Sequence, residues 1–579
     1  MNMTFKKKIL VLLSVGCLFF NQGCDRILDE QERSSLSPEY FKTPEGIQAG
    51  VVAAYSLMRF LWGTEGFSYS TSAGTDEMLR GDGSSSNLFT YGILTSEGTA
   101  QAIWDISYQA INNCNGVIEL GPAANMPAAT KQAVIAEAKF LRAWYYFLLV
   151  QTFGEVSLNL NFVTEPSTSA SRQPIADVYA AIIKDLKEAS VELPDKPSPS
   201  PGRAAKAVAL HVLAKVYLTK GWSSAATGDD FANAQATAQQ LIADKAKYGL
   251  DLWQDFFDAN KEGNEYGKET IWVIDRNTDA TASESGYGLG FGANNPKQNG
   301  SLFYWRPNYS GVALNVNAGI SGLPVNNNVM MDRDVVNGRP FLRFRPSAYT
   351  QNVAFGERVN DTRYNKTFQT VWIYNRTITI NTLQGPLRRG IDTAIWMIGR
   401  EVTEEERRAF RGVLFTPSQY TGSMYPAMKK YDDITRLTPN DPSDRPFIMF
   451  RFADTYMVAA EAAFKAGKLD DAANHINVIR QRAAFLSSRN AEQNAAAANA
   501  MKITTADLNI DFIMDERTRE FYGEYQRWYD LVRTKTLKDR LAKYNPIAGF
   551  KDFHYLRPIP QSQINLVTTG TPYPQNPGY

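Results

Sequence analysis

Apolar residues recur at helical spacing along several segments of this chain. In the clearest segment they occupy offsets 0, 3, 4, 7, 8, 11 and 14, at Ile175, Val178, Tyr179, Ile182, Ile183, Leu186 and Ala189. This spacing places them on one face of an α-helix, and Pro194 ends the pattern. Because a helix with one apolar face must bury it against another element, the pattern predicts helices packed on helices.

The predicted helices come in pairs of about tetratricopeptide length. In the best example one helix ends at Gly467 and a second follows over 469–482. Small residues at this pair let two helices approach closely: Ala459, Ala460, Ala462, Ala463, Ala472 and Ala473. Four such pairs are predicted, near 45–120, 131–193, 203–246 and 451–485. The predicted fold class is therefore mainly α, a tetratricopeptide-like helical-repeat scaffold of about four helix pairs.

A long middle stretch differs from the helical parts. Glycine, asparagine and proline are dense there, above all over 286–296, and short β-like runs occur at 370–374 and 378–380. A loop-rich stretch of this length inside a helical scaffold is more often functional than idle. We therefore predict a loop-rich C-terminal region that contains short β segments. The predicted division is a signal peptide over 1–23, a helical-repeat region over 24–250, the loop-rich region over 251–445 and a C-terminal helical region over 446–579.

The first residues have the pattern of an export signal. Lysines at 6–8 precede an apolar run over 9–20, which is shorter than the ~20 residues that a membrane-spanning helix needs. Cleavage before Cys24 uses the whole apolar run and places Gly23 at the small-residue site, whereas cleavage before Cys17 shortens the run. The sequence therefore predicts an exported protein whose mature chain begins at Cys24.

Charge and residue counts exclude several classes of function. A net charge of +1 does not provide the concentrated basic surface that a nucleic-acid partner requires. Three cysteines, one of them in the predicted signal peptide, exclude a disulfide framework and a thiolate zinc site. The three histidines, His211, His475 and His554, lie far apart in the sequence, and neither a GxSxG motif nor a P-loop is present. We expect no metal, no cofactor and no nucleic acid.

Carboxylates and arginines alternate over 515–533, at Glu516, Arg517, Arg519, Glu520, Glu524, Arg527, Asp530 and Arg533. Their helical spacing favours ion pairs between adjacent turns over a catalytic acid–base pair. The segment is therefore interpreted as a structural helix face, and no enzymatic activity is expected.

Motifs in order along nearly the whole mature chain resemble the SusD/RagB-like nutrient-binding lipoproteins of Bacteroidetes outer membranes. They are Cys24–Asp29, Trp104–Asn113 with Asn115, Glu137–Tyr146, Arg451–Ala462, Asp515–Phe521 with Arg527–Arg533, Pro558–Pro560 and Gln575–Tyr579. The resemblance implies a scaffold of four tetratricopeptide repeats and a lipid anchor on Cys24 that holds the protein at the outer-membrane surface. It also implies association with a SusC-like TonB-dependent transporter and capture of glycans, or of peptides in some members, without catalysis.

Candidate glycan-binding residues follow from this implied ligand. Sugars stack their apolar faces on aromatic rings, and their hydroxyls need amide, carboxylate or guanidinium partners. Both kinds of group occur in one predicted loop, at Tyr304, Trp305, Arg306, Asn308 and Tyr309. The alternative for this loop is an aromatic cluster that pins it to the scaffold, and the sequence does not decide between the two. Weaker candidates, also on predicted loops, are Trp62, Phe67, Tyr69 and Tyr91, whereas Trp396 is predicted to lie in the core.

The function predicted from the sequence is a surface lipoprotein that holds an oligosaccharide over its transporter and delivers it for import. A peptide-binding relative with a larger enclosed cavity is the alternative. An endo-acting glycosidase is a third possibility, which requires a pair of carboxylates roughly 5–9.5 Å apart in a cleft. No such pair is visible in the sequence.

Overall fold

The computed structural model describes residues 37–276, 299–314 and 328–579. The predicted signal peptide, Cys24 and the glycine-rich segment 286–296 lie outside these ranges. Among the described helices none combines the length and the apolar character needed to cross a membrane.

Helices make up much of the described chain. Their bounds are α1 Pro38–Phe41, α2 Pro44–Leu57, α3 Glu65–Ser72, α4 Gly98–Leu120, α5 Ala128–Phe153, α6 Ile175–Glu192, α7 Lys206–Trp222, α8 Asp230–Ala243, α9 Lys245–Tyr248, α10 Ser301–Tyr304, α11 Arg363–Thr367, α12 Glu404–Ala409, α13 Phe452–Lys465, α14 Leu469–Ala483, α15 Ala491–Ala500, α16 Ile510–Phe521, α17 Arg527–Arg533, α18 Leu537–Tyr544 and α19 Gln561–Leu566.

The long helices stack side by side in one scaffold. α2 packs against α4, α4 against α5, and the order continues through α6, α7 and α8. α13 then packs against α8, and α14 against α13, although residues 244–451 separate α8 from α13 along the chain. The predicted mainly α fold class is therefore confirmed, with the four helix pairs α2–α4, α5–α6, α7–α8 and α13–α14.

Small side chains and one glycine shape the last helix pair. The alanines predicted to lie between its helices are buried: Ala459, Ala460, Ala462, Ala463, Ala472 and Ala473. Gly467 adopts the left-handed backbone conformation, with φ of 77°. Its N–H donates to the carbonyl of Phe464 (3.1 Å), and the N–H of Lys468 donates to that of Ala463 (2.9 Å). These bonds satisfy carbonyl groups that a helix end otherwise leaves unpaired.

Short strands lie mostly between the two helical parts of the chain, as predicted. They are β1 Met78–Arg80, β2 Thr270–Ile274, β3 Phe344–Pro346, β4 Phe368–Gln369, β5 Val371–Ile373, β6 Asn381–Thr382, β7 Gly385–Pro386, β8 Thr393–Met397, β9 Val413–Phe415, β10 Ala427–Met428 and β11 Phe447–Arg451. The pairs β1–β3, β2–β11, β4–β10, β5–β8 and β6–β7 are antiparallel, and β8–β9 is parallel.

Two hydrophobic contacts explain how these strands are positioned. The β2–β11 ladder packs on α5, because Trp272 lies 5.0 Å from Phe140 and Phe450 lies 5.4 Å from Trp144, measured between ring centroids. The β5–β8–β9 sheet instead has a core of its own, which includes Trp372. The middle stretch thus packs on the scaffold through the β2–β11 ladder and carries a second core beside it.

Buried ion pairs join the middle stretch to α16. Arg363 lies 2.8 Å from Glu516, and Arg451 lies 2.9 Å from Glu520. Burial by itself raises the pKa of Glu520, but the surrounding arginines, Arg482 first, outweigh it and lower the pKa to about 2. The predicted ion pair between adjacent turns is confirmed in this helix at Glu516 and Arg519 (2.7 Å), whereas most of the other cations come from distant segments.

Candidate functional site

Five predicted aromatic residues meet in one group of rings, which we call the aromatic cluster: Trp62, Phe67, Tyr69, Tyr304 and Trp305. The rings of Tyr69 and Trp305 each lie 5.1 Å from that of Phe344 on β3. Phe67 and Trp305 lie 6.2 and 6.0 Å from Tyr525. The structure therefore brings together residues that the sequence places in two separate segments.

The aromatic cluster is buried. Its members expose between 0% and 8% of their surface, Trp305 only 1% and Tyr69 the most. A sugar stacks on an exposed ring face, and none of these rings offers one. Burial of large apolar rings is favourable by roughly 25 cal/mol per Å². The cluster thus holds the 303–309 segment to the scaffold, as the alternative interpretation describes, rather than forming a platform in solvent.

Local backbone structure also differs from the predicted loop at Phe67 and Tyr69. Both residues lie in α3, which Thr64 caps by accepting a hydrogen bond from the N–H of Phe67 (3.4 Å). Gly63 directly precedes this cap with φ of 84°, a conformation that favours glycine. The glycine that indicated a loop therefore turns the chain into a short helix.

Arg306 and Asn308 have structural partners as well. The guanidinium of Arg306 is 1% exposed, donates to the side chain of Gln369 (3.0 Å) and pairs with Asp432. Asn308 is partly buried, and its backbone N–H donates to the carbonyl of Ser423 (2.8 Å). Arg306 thus has no free face for a ligand, whereas Asn308 keeps some contact with solvent.

The remaining predicted rings lie apart from the aromatic cluster. Tyr309 is buried in the second core, stacked at 6.4 Å on Trp372. Tyr91 is buried elsewhere, and its hydroxyl donates to the carbonyl of Gly74 (2.7 Å). Trp396, predicted to lie in the core, is 37% exposed on β8, so that prediction is wrong.

Polar side chains adjoin the aromatic cluster and keep contact with solvent; we call them the polar rim: Glu65, Arg80, Asp82, Arg343 and Arg345. The β1–β3 ladder and its extension position three of them, Arg80, Arg343 and Arg345. In its register Arg80 lies opposite Phe344, and Arg345 lies opposite Leu79. The N–H of Gly81 then donates to the carbonyl of Arg343 (3.1 Å).

Part of the polar rim is fixed by internal bonds. Glu65 accepts a hydrogen bond from the hydroxyl of Tyr69 (3.0 Å) and lies 2.9 Å from Nε of Arg343. Burial, helped by the charge of Glu65, raises the pKa of Tyr69, so its phenol stays protonated and donates. Asp82 accepts from the hydroxyl of Ser423 (2.5 Å). These carboxylates are thus engaged as hydrogen-bond acceptors.

Arg80 and Arg345 supply the free hydrogen-bonding capacity of the polar rim. Arg80 is exposed, and Arg345 is partly exposed with a buried Nε that lacks an acceptor. Within the described part of the chain neither guanidinium has a carboxylate partner. Each has N–H donors for ligand oxygens such as sugar hydroxyls. Over the same ranges no group of three or more His, Cys, Asp or Glu side chains is arranged to hold a metal.

Sequence patterns did not indicate the polar rim. β1 and β3 are each three residues long, which is too short for alternation to be recognised. They also lie far apart in the sequence, at 78–80 and 344–346, so no local pattern shows that they pair. The one local hint is the Gly81–Gly83 turn, which indicates a loop but not its partner.

Comparison with protein families decides what kind of protein carries this site. A family model described as "SusD family" matches residues 268–579, which is more than half of the chain. The chain belongs to the SusD family. A second model, described as "Starch-binding associating with outer membrane", matches residues 27–218 of this SusD-family chain.

Relatives and solved structures match the SusD-family chain over nearly its whole length. A SusD-like protein of Formosa agariphila is 27% identical, over 99% of this chain and 98% of the relative. Among solved structures, a "Laminarin binding SusD-like protein" is 24% identical with a TM-score of 0.64, covering 93% of this chain and 100% of its own. Surface glycan-binding protein A from Bacteroides thetaiotaomicron, in complex with laminarihexaose, is 20% identical with a TM-score of 0.63, covering 92% and 99%. These neighbours share the fold of this SusD-family chain.

Proposed function

We propose that this SusD-family chain is a cell-surface lipoprotein that binds oligosaccharides and delivers them to a SusC-like TonB-dependent transporter of the outer membrane. The observation that carries the proposal is the family match together with structural neighbours that are named for a glycan or solved with one. The family description that associates matching proteins with starch and the outer membrane supports the same location and ligand class.

The polar rim is the part of the described structure that we assign to glycan contact. The guanidinium of Arg345 donates to sugar hydroxyls, and Asp82 accepts hydrogen bonds from such hydroxyls at the exposed edge. No bond is made or broken in this function. Affinity in the micromolar range, roughly −8 kcal/mol, is expected because a carrier must also release its ligand.

The ligand assignment is tested with the mature protein in affinity gels that contain laminarin or soluble starch. We expect retardation by at least one glycan and a weaker retardation for Arg345→Ala. Arg389→Ala is the matched control, because Arg389 is exposed and lies outside the polar rim. Retardation by no glycan, together with binding of oligopeptides, would favour the peptide-binding alternative. Release of shorter saccharides during incubation would contradict a purely binding role.

The anchor and the transporter are tested in cells. We propose that Cys24 carries the lipid, so a Cys24→Ala protein is expected to leave the outer-membrane fraction once its transporter is deleted. Two acyl chains anchor a protein stably, whereas one is marginal. Co-purification of a TonB-dependent barrel with the wild-type protein, after detergent extraction, is the expected result for the transporter. Purification without any barrel would count against delivery.

A further inference from the structure

A cavity of about 840 Å³ opens in the helical scaffold. It lies between the end of α5, the start of α6, the end of α7, α17 and the C-terminal residues 574–577, and we call it the scaffold cavity. It shares no lining residue with the aromatic cluster or the polar rim. Its volume falls within the roughly 300–1,000 Å³ typical of small-molecule sites.

The C-terminal wall of the scaffold cavity is held in place by hydrogen bonds. The side-chain amide of Asn576 donates to the carbonyls of Phe153 (3.0 Å) and Arg557 (2.8 Å). Its oxygen accepts from Arg172 (2.7 Å), whose Nε also donates to the carbonyl of Glu155 (2.8 Å). The C-terminal wall of the cavity is therefore preformed, and a ligand can contact it without a movement of this segment.

Three aromatic rings in the scaffold cavity keep part of their surface exposed: Trp222, Tyr529 and Tyr555. The indole N–H of Trp222 donates to Glu461 (2.8 Å), and the ammonium of Lys465 lies 4.0 Å from the ring centroid. The hydroxyl of Tyr529 bonds to that of Thr152 (3.0 Å). Because these bonds fix the ring planes, the rings form the oriented, accessible surface that the aromatic cluster lacks.

Polar groups beside these rings have unused hydrogen-bonding capacity. The amide of Gln151 donates to the carbonyl of Phe147 (3.1 Å), and its oxygen has no donor within the described ranges. The Lys535 ammonium and the Glu155 carboxylate also lack an ion-pair partner among the residues described. Arg172 is a further cation of the lining that has no carboxylate partner in the described ranges, although its guanidinium donates to backbone carbonyls and to Asn576. The lining therefore offers both donors and acceptors to the hydroxyl groups of a ligand.

We propose that the scaffold cavity is a second saccharide site, which binds a short oligosaccharide separately from the polar rim. Exposed rings take the apolar faces of pyranose units, and the free amide, ammonium and carboxylate groups take their hydroxyls. The proposal rests on the proposed function for its ligand class. Two sites on one chain hold a polysaccharide at two points, which raises overall avidity without any new contact.

Isothermal titration of the mature protein with laminarihexaose and with maltohexaose tests the proposal. We expect two saccharides bound per chain for at least one of these probes. Trp222→Ala weakens one of the two events by about two- to tenfold, since a stacked ring contributes roughly 0.5–1.5 kcal/mol beyond its buried area. Gln151→Ala weakens the same event and removes no ring. Trp396→Ala is the matched control, because it also removes an exposed indole but lies outside both sites.

The outcomes separate the second site from the proposed function. A single binding event that Arg345→Ala weakens and Trp222→Ala leaves unchanged overturns the scaffold cavity as a saccharide site but keeps the polar rim. A single binding event that Trp222→Ala weakens and Arg345→Ala leaves unchanged overturns the polar rim as the glycan site and keeps the scaffold cavity. Binding of neither probe overturns both assignments. Circular dichroism and the melting temperature of each variant establish whether it is folded. If Trp222→Ala does not fold, Gln151→Ala still tests the scaffold cavity.

Discussion

Replacing Arg451 by alanine tests how much the buried ion network contributes to stability. Arg451 is 1% exposed, and its guanidinium reaches three carboxylates. It lies 2.8 Å from Glu269, 2.9 Å from Glu520 and 2.8 Å from Glu524. The substitution leaves these carboxylates in the protein interior with one cation fewer.

The expected cost follows from the partners that remain. Glu269 and Glu520 then share Arg482, and Glu524 keeps Lys430, so part of the buried negative charge loses its compensation. Breaking a buried pair by removing one partner costs about 3–5 kcal/mol. The total stability of a domain is typically only about 5–15 kcal/mol. We therefore expect Arg451→Ala to lower the free energy of unfolding by about 3–5 kcal/mol.

Urea titration followed by tryptophan fluorescence measures this change, with the thermal midpoint as a second readout. Arg408→Ala is the control, because its pair with Glu404 spans one turn of an exposed helix and such pairs contribute about 0.3–0.5 kcal/mol. A loss below about 1 kcal/mol for Arg451→Ala would refute the reasoning, since it would mean that the network relaxes or admits water at little cost.

The pH dependence provides an independent check on the same network. The pKa of Glu520 is lowered to about 2 in the folded protein, against about 4.3 in an unfolded chain. Its stabilisation is thus present above about pH 4.3 and is lost as the pH falls toward 2. Because Arg451 is one cause of this shift, Arg451→Ala should move acid unfolding to higher pH. An unchanged acid midpoint would contradict the assignment.

Further predictions concern one buried carboxyl, one predicted site residue and one glycine. Burial raises the pKa of Glu77 to about 7, so ionisation of this carboxyl lowers the stability of the folded protein as the pH rises from about 4.3 to 7. We therefore expect Glu77→Gln to raise the melting temperature more at pH 8 than at pH 5, and an equal increase at both pH values would contradict this. Trp305→Ala should cost about 3–5 kcal/mol of stability, and loss of glycan binding at unchanged stability would instead place the ring in a binding site. Gly467→Ala should lower the free energy of unfolding by about 1–2 kcal/mol, because Gly467 has a left-handed φ. Gly98→Ala is the control: Gly98 has open space around it and no such φ, so the substitution should be neutral or stabilising, and equal melting temperatures for the two variants would refute the backbone argument.

The helix pairs were predictable because their causes are local. The apolar face from Ile175 to Ala189 lies within α6, Ile175–Glu192, and Gly467 ends the first helix of the last pair as predicted. Periodicity and a terminating glycine act over a few residues, so a single sequence displays them. The pairing of α13 with α8 is different, because it depends on the intervening chain returning to the scaffold.

The candidate site shows what local patterns do not contain. A segment in which aromatic and polar residues alternate has the same composition whether it forms a binding loop or packs into the core. At Trp305 the deciding facts are Phe344 and Tyr525, which lie on other segments and cover its ring. The same holds for Trp222, which is partly exposed because it lines a cavity whose other walls include α17 and the C-terminal residues 574–577.

By itself the sequence determined the helical repeats and the likeness to the SusD family, because spacing and ordered motifs carry that information along the chain. Only the tertiary structure decided which rings are buried, which guanidiniums stay free and where a cavity opens. Burial and exposure depend on contacts between segments hundreds of residues apart. Those contacts are formed by the packing of the whole molecule, and no short stretch of sequence contains them.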